Sequence, residues 1–218
     1  MEPLFIVVII AVGITAMILN YFYTLKRREA MAALAAKLGL QYDFHKNSDI
    51  ARRYKFLDKF RAGRDRYAFN IFTGNYKEEN VMIFDYHYKT GSGKDTHHYY
   101  LSFYLLFLPA VFPELIIVKE GFFSKIGQAL GYDDIDFESH EFSRKFCVRS
   151  TDKKFAYDIC NARMIEYLLS NTDLNIEIEN NVLALYFNRK LSLDKFEDNL
   201  NRLRAIKSFI PEYVFSRR

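Results

Sequence analysis

From Leu4 to Leu25 the chain reads LFIVVIIAVGITAMILNYFYTL, twenty-two residues without one side chain that is charged at neutral pH. Wound as an α-helix at about 1.5 Å per residue, this run is about 33 Å long, enough to cross a hydrocarbon core of about 30 Å. A buried core helix rarely stays apolar on every face for this length. A cleaved signal peptide would need a positive n-region and a small-x-small cleavage site. Only Glu2 precedes the run, and no such site follows before Lys26-Arg27-Arg28. Tyr21, Phe22 and Tyr23 lie near its end, where amphipathic rings favour the headgroup level. Residues 4–25 therefore read as one transmembrane helix.

Its direction follows from the flanking charge. Lys26, Arg27, Arg28 and then Lys37 follow the run and no basic side chain precedes it, so the positive-inside rule puts the N-terminus outside and the rest of the chain in the cytoplasm. The window from Lys26 to Arg66 holds twelve Lys or Arg against five Asp or Glu, leaving nineteen against twenty-two elsewhere. A basic membrane-proximal segment attracts anionic headgroups, and Lys26, Arg27 and Arg28 are the candidate membrane-surface contacts. The same excess also fits an ordinary solvated face. Nucleic acid is not an expected partner, because the basic residues stand beside a membrane and no reading motif accompanies them.

Beyond the anchor, REAMAALAAKL (28–38) is made of strong helix formers and stops at Gly39, so residues 26–39 read as a juxtamembrane helix or stalk with Met31, Leu34, Ala35 and Leu38 on one face. Residues 40–215 suit one domain. The chain is 50% hydrophobic with 21 Phe and 16 Tyr, ample for a core rather than disorder. Cys147 and Cys160 make neither a disulfide framework nor a zinc site, and both are expected to stay reduced.

Strand patterning starts at Leu40–Phe44 and continues in Tyr67–Thr73, closed by the turn signal Gly74-Asn75, then Asn80–Tyr88, the turn Gly91-Ser92-Gly93, Tyr99–Leu108, and Glu114–Val118 beyond Pro109 and Pro113. Further strands are expected at Phe142–Arg149 and in a hairpin, Leu174–Ile178 and Val182–Phe187, around Glu179-Asn180-Asn181. Helices are expected at Phe122–Leu130, ending at Gly131, from Asp152 through Leu169, and from an N-cap at Ser192 with Phe196, Leu200, Leu203 and Ile206 buried. The fold class is α+β: a transmembrane helix, then one domain with a mainly antiparallel sheet and three to four helices, placed on one face.

Candidate chemistry is sparse. Asp85 and His87, two apart on a strand, share a face, and His97 or, after a one-residue slip, His98 lies across the hairpin; two imidazoles and a carboxylate are zinc-type ligands. Surface or hydrogen-bonded histidines are the competing reading. Gly91-Ser92-Gly93-Lys94 lacks the spacing of a phosphate loop, and Asp133, Asp134 and Asp136 lack that of an EF-hand, so both read as turns. Cys147 has no evident catalytic partner, and no serine-hydrolase elbow occurs. No cofactor motif is found.

Beside the anchor stand the runs Asn70-x-x-x-Gly74, Val81-x-Ile83-Phe84-Asp85-Tyr86-x-Tyr88 leading to Gly91, and Asp134-Ile135-Asp136-Phe137-Glu138 before Glu141-Phe142-Ser143. In these runs the chain resembles uncharacterised prokaryotic single-pass membrane proteins that carry a domain of unknown function. The resemblance spans most of residues 27–215, implies a membrane-anchored domain, and brings no catalytic residue. The expected role is a non-enzymatic module binding lipid or a membrane or cytoplasmic protein. The alternatives are a metal-dependent enzyme built on Asp85, His87 and His97, or a binder of an apolar small ligand.

Overall fold

A computed structural model describes residues 3–120 and 135–216; the helix expected at Phe122–Leu130, with Gly131, Asp133 and Asp134, lies outside them. The good helix formers run on without a break, so anchor and stalk form one helix, α1 (Pro3–Leu38). Gly39, at φ +70°, ends it: its N–H bonds Ala36 O at 3.3 Å and the Leu40 N–H bonds Ala35 O at 2.9 Å, the paired closure of a Schellman motif. Every side chain from Val8 to Tyr23 is exposed, whereas Met31 and Ala35 are fully buried, with Leu34 and Leu38 packed beside them. One face of the helix's second half is thus core, while its first half presents an exposed apolar surface. Among the described residues α1 alone is long and apolar enough to cross a membrane.

Six strands form one antiparallel sheet: β1 (Gln41–Asp43), β2 (Arg64–Tyr76), β3 (Glu79–Thr90), β4 (His97–Lys119), β5 (Phe146–Ser150) and β6 (Asn175–Phe187). β4 is the spine. β3 pairs with it up to Leu106 and β5 from Leu115 on, along the same edge, while β6 runs down the other edge from Ser102 to Ile117. Helices α2 (Ser48–Arg53) and α3 (Asp58–Arg61) precede β2; α4 (His140–Lys145), α5 (Lys153–Ile159), α6 (Ala162–Ser170), α7 (Phe196–Phe209) and α8 (Glu212–Phe215) belong to the second half. The domain is α+β, as the patterning indicates, but helices cover both faces. On one, α1 and α4–α8 bury Phe72, Ile83, Leu185, Phe196 and Leu203; on the other, α2 and α3 cover Phe84, Tyr86 and Phe103. Phe60 seats α3 there, its ring 4.3 Å from Tyr86 and 4.8 Å from Phe103.

Several boundaries differ from expectation. Pro109 and Pro113 do not end a strand, because β4 has neither β3 nor β5 beside it between Leu106 and Leu115, and its register with β6 shifts there; missing N–H groups cost no ladder bond. Glu179-Asn180-Asn181 is likewise a bulge inside one strand, with Asn180 at φ +53° opposite that shift. Gly74-Asn75 stays in β2, where the absence of a side chain lets Leu40 approach; a Cβ would stand 3.2 Å from it. The turn falls instead on Lys77 and Glu78, at φ +48° and +70°. Phe142–Lys145 is helical because the Ser139 hydroxyl caps α4 by accepting from the Phe142 N–H at 3.3 Å. The helix begun at Asp152 breaks at Cys160, and Asn161 caps its successor, accepting from the Met164 N–H at 3.2 Å. Ser192 opens a turn rather than a helix, and α7 starts after Lys195 with the expected stripe buried.

Candidate functional site

Where α1 passes from its exposed to its buried half, the helix is bolted to the sheet by polar groups. Asp85 on β3 is wholly buried. Its Oδ1 accepts from the Leu191 N–H at 2.6 Å, and its Oδ2 accepts from Asn70 Nδ2 at 2.8 Å. Arg27 Nη2 lies 3.9 Å from that Oδ2 and donates to Leu191 O at 2.6 Å, so the backbone of one loop residue is held at both its N–H and its C=O. Asn70, at φ +50° in a β2 bulge, accepts from the Tyr42 hydroxyl at 3.0 Å. The same hydroxyl lies 3.4 Å from Met31 Sδ. Burial pushes the Asp85 carboxyl up, opposed by Asn70, the Leu191 N–H and Arg27. Tyr42 is pushed up to about 12 for the same reason.

Around this junction runs a rim of cations laid on aromatic rings. The Arg28 guanidinium sits 4.4 Å above Phe44, Lys46 Nζ 4.5 Å from Tyr67, and Lys190 Nζ 4.2 Å from Tyr100. A recess of about 280 Å³ opens between Thr24, Arg27 and Arg28 of α1 and the Phe44–Lys46 segment, with Phe69 in its wall. Thr24 and Leu25 end the apolar run, so this recess lies at the end of that run.

The predicted site residues are distributed unevenly over this arrangement. Of the three basic residues after the anchor, Lys26 and Arg28 are exposed, and Arg27 turns inward to the junction. Asp85 and His87 share the α1 face of β3. His87 pairs across the hairpin with Tyr100, and His98 pairs with Lys89; His97 pairs with Thr90 and so faces the opposite side. His87 Nε2 lies 3.0 Å from His98 Nδ1, and its buried ring sits between those of Tyr67 (4.6 Å) and Tyr100 (4.9 Å), tilted against both. Burial pushes this imidazole down, towards the neutral form. The hairpin histidines and Asp85 do not gather as a ligand set: Asp85 is taken up by Asn70 and Leu191. Cys147 and Cys160 are both buried on separate elements. A second, mainly apolar hollow of about 640 Å³ lies between Phe137 and α5–α6, against Tyr157, Ile165 and Leu169.

Sequence reasoning missed a third cluster. Glu114, Glu177 and Glu179 bring one carboxylate oxygen each within 4.8 Å of the others, the one such grouping of His, Cys, Asp or Glu among the described residues. Strand period alone does not reveal it: Asn175, Glu177 and Glu179 alternate with Ile176 and Ile178, the mark of a solvated face, and only the β4–β6 ladder brings Glu114 beside them.

No family model and no curated protein matches the chain. A solved structure does, that of the mycobacterial trehalose monomycolate transport factor A, TtfA. The TM-score is 0.64 at 16% identity, over 84% of this chain and 92% of that one. The two chains share a fold.

Proposed function

We propose that this protein is a single-pass membrane module whose domain works on the cytoplasmic surface of the bilayer, binding lipid headgroups through the basic rim at the foot of α1. The observation that carries the reading is the junction itself. The helix enters the core without a linker, and Arg27, held on Leu191 O and beside Asp85, fixes the domain against the end of the span. A domain held in this way keeps Arg28, Lys46 and Lys190 at headgroup level, where each basic group adds up to about 1 kcal/mol of attraction to anionic lipid. The orientation rests on Lys26, Arg27 and Arg28 following the run. The fold is one that a trehalose monomycolate transport factor also uses, which supports a lipid-facing role. Membership of the uncharacterised single-pass group fits the same reading.

Amide hydrogen exchange on the full-length protein in nanodiscs tests it. Phosphatidylglycerol added to phosphatidylcholine is expected to protect Phe44–Lys46 and the Lys190 loop, salt to reverse the protection, and Arg28→Glu with Lys46→Glu to abolish it. Equal exchange in both lipids would refute headgroup binding. Protease attack on the domain from outside sealed cells would refute the orientation.

A further inference from the structure

The acidic cluster lies on the other face of the sheet from α1. Ile116 pairs with Glu177, so Glu177 points to the α3 side; Glu114 and Glu179 are the next positions on that face of β4 and β6. Glu177 is wholly buried. Its Oε1 accepts from the Asp58 N–H at 2.8 Å, while its Oε2 is buried without a hydrogen-bond partner. Glu179 Oε2 is buried without a hydrogen bond as well. Cations on this face include Arg61, Lys59 and Arg149, which like Glu177 pairs with Ile116. Arg61 Nη2 stands 3.4 Å from Glu114 and 3.6 Å from Glu179, and the same nitrogen also bonds Phe56 O. Lys59 is engaged by Asp58 at 3.0 Å. Arg61 is thus shared between Glu114 and Glu179, in a place where unpaired charge is costly.

We propose that Glu114, Glu177 and Glu179 bind one hard divalent cation, of the Mg²⁺, Mn²⁺ or Ca²⁺ class, between the β4–β6 ladder and α3. All three donors are carboxylate oxygens, with no sulfur or imidazole beside them, which selects against soft metals. An ion there would offset carboxylate charge and engage the orphaned oxygen of Glu177. It would also brace the α2–α3 layer against the sheet, since Glu177 already holds the start of α3 through Asp58. Burial pushes the Glu177 carboxyl well up, and burial with Glu114 nearby pushes Glu179 up to about 7.

The test uses full-length protein in zwitterionic detergent, stripped with EDTA and titrated with Mn²⁺ under electron paramagnetic resonance. One bound Mn²⁺ per chain is expected, displaced by Mg²⁺ or Ca²⁺, with binding weakened about tenfold or more in Glu177→Gln. That variant keeps an acceptor for the Asp58 N–H, so it should fold; Glu179→Gln, at a partly exposed position, is the second variant and should weaken binding too. The cation should also raise the thermal midpoint of the wild type and leave Glu177→Gln unmoved. Absence of Mn²⁺ binding to folded protein, equal binding in wild type and Glu177→Gln, or a midpoint that responds to pH but not to cation would each overturn the proposal.

Discussion

Replacing Asp85 with Ala removes the buried acceptor for two donors, the Leu191 N–H at 2.6 Å and Asn70 Nδ2 at 2.8 Å. Hydrogen bonds to a charged group contribute about 1.5–3 kcal/mol each, so their joint loss is about 3–6 kcal/mol. The carboxylate's own burial, which pushes its pKa up, offsets part of this, and the net cost falls near 3 kcal/mol. Asp85→Asn should cost about half as much. Its carbonyl can still accept from Leu191, but its NH₂ then meets that of Asn70, and turning Asn70 over would take the acceptor from Tyr42. At roughly 2–4 °C per kcal/mol for a domain of this size, the Tm should fall by about 6–12 °C in Asp85→Ala and about 3–6 °C in Asp85→Asn. Circular dichroism of the full-length protein in detergent is the assay, as the chain has no Trp to report by fluorescence. Equal losses in the two variants, or a loss in Asp85→Ala below about 1 kcal/mol, would refute the junction as a structural clamp.

Other expectations follow from single sites. In EDTA, stability should fall as pH rises towards 7. Glu179 has its folded pKa raised to about 7 from the usual 4.5, so between those values the native state holds the extra proton and loses that advantage as pH climbs. Glu179→Gln should flatten this part of the pH–Tm curve. Met31→Ala, emptying a fully buried site where α1 meets the sheet, should cost about 2–5 kcal/mol by urea titration in mild detergent. Asn-Gly in place of Lys77-Glu78 should stabilise by about 1 kcal/mol in the same titration, since both residues hold positive φ and the Lys77 contact to Asn201 is exposed.

The readable parts of the fold were those with a single physical cause. An uncharged run of hydrocarbon length, Gly39 at a helix end, and the Phe196–Leu200–Leu203–Ile206 stripe each leave a periodic or compositional mark that tertiary context does not change. The missed boundaries lie where a local signal was overruled by pairing. Pro109, Pro113 and Asn180 look like breaks, but they fall at one shared irregularity of the β4–β6 ladder. Lys77-Glu78 carries no turn signature, yet the strands meet there. Of the sites, the common face of Asp85 and His87 followed from strand period. Which histidine crosses to His87 depended on register, and register placed His98 beside it rather than His97. Arg27 read as a surface cation, because nothing local to the sequence reveals that Leu191, 164 positions later, offers it a carbonyl. The acidic cluster was illegible for a similar reason: Glu114 and Glu177 lie far apart in sequence and meet only through the β4–β6 ladder.

The central claim, a spanning helix with its domain seated at the headgroups, is most directly tested by spin-label immersion depth in nanodiscs. Labels at single introduced cysteines are practical because Cys147 and Cys160 are both buried. A label at Ile14 should be reached by oxygen and shielded from an aqueous nickel chelate, as at mid-bilayer, and a label at Lys46 should read as headgroup level. An Ile14 label open to the aqueous chelate, or a Lys46 label far out in bulk water, would contradict the account.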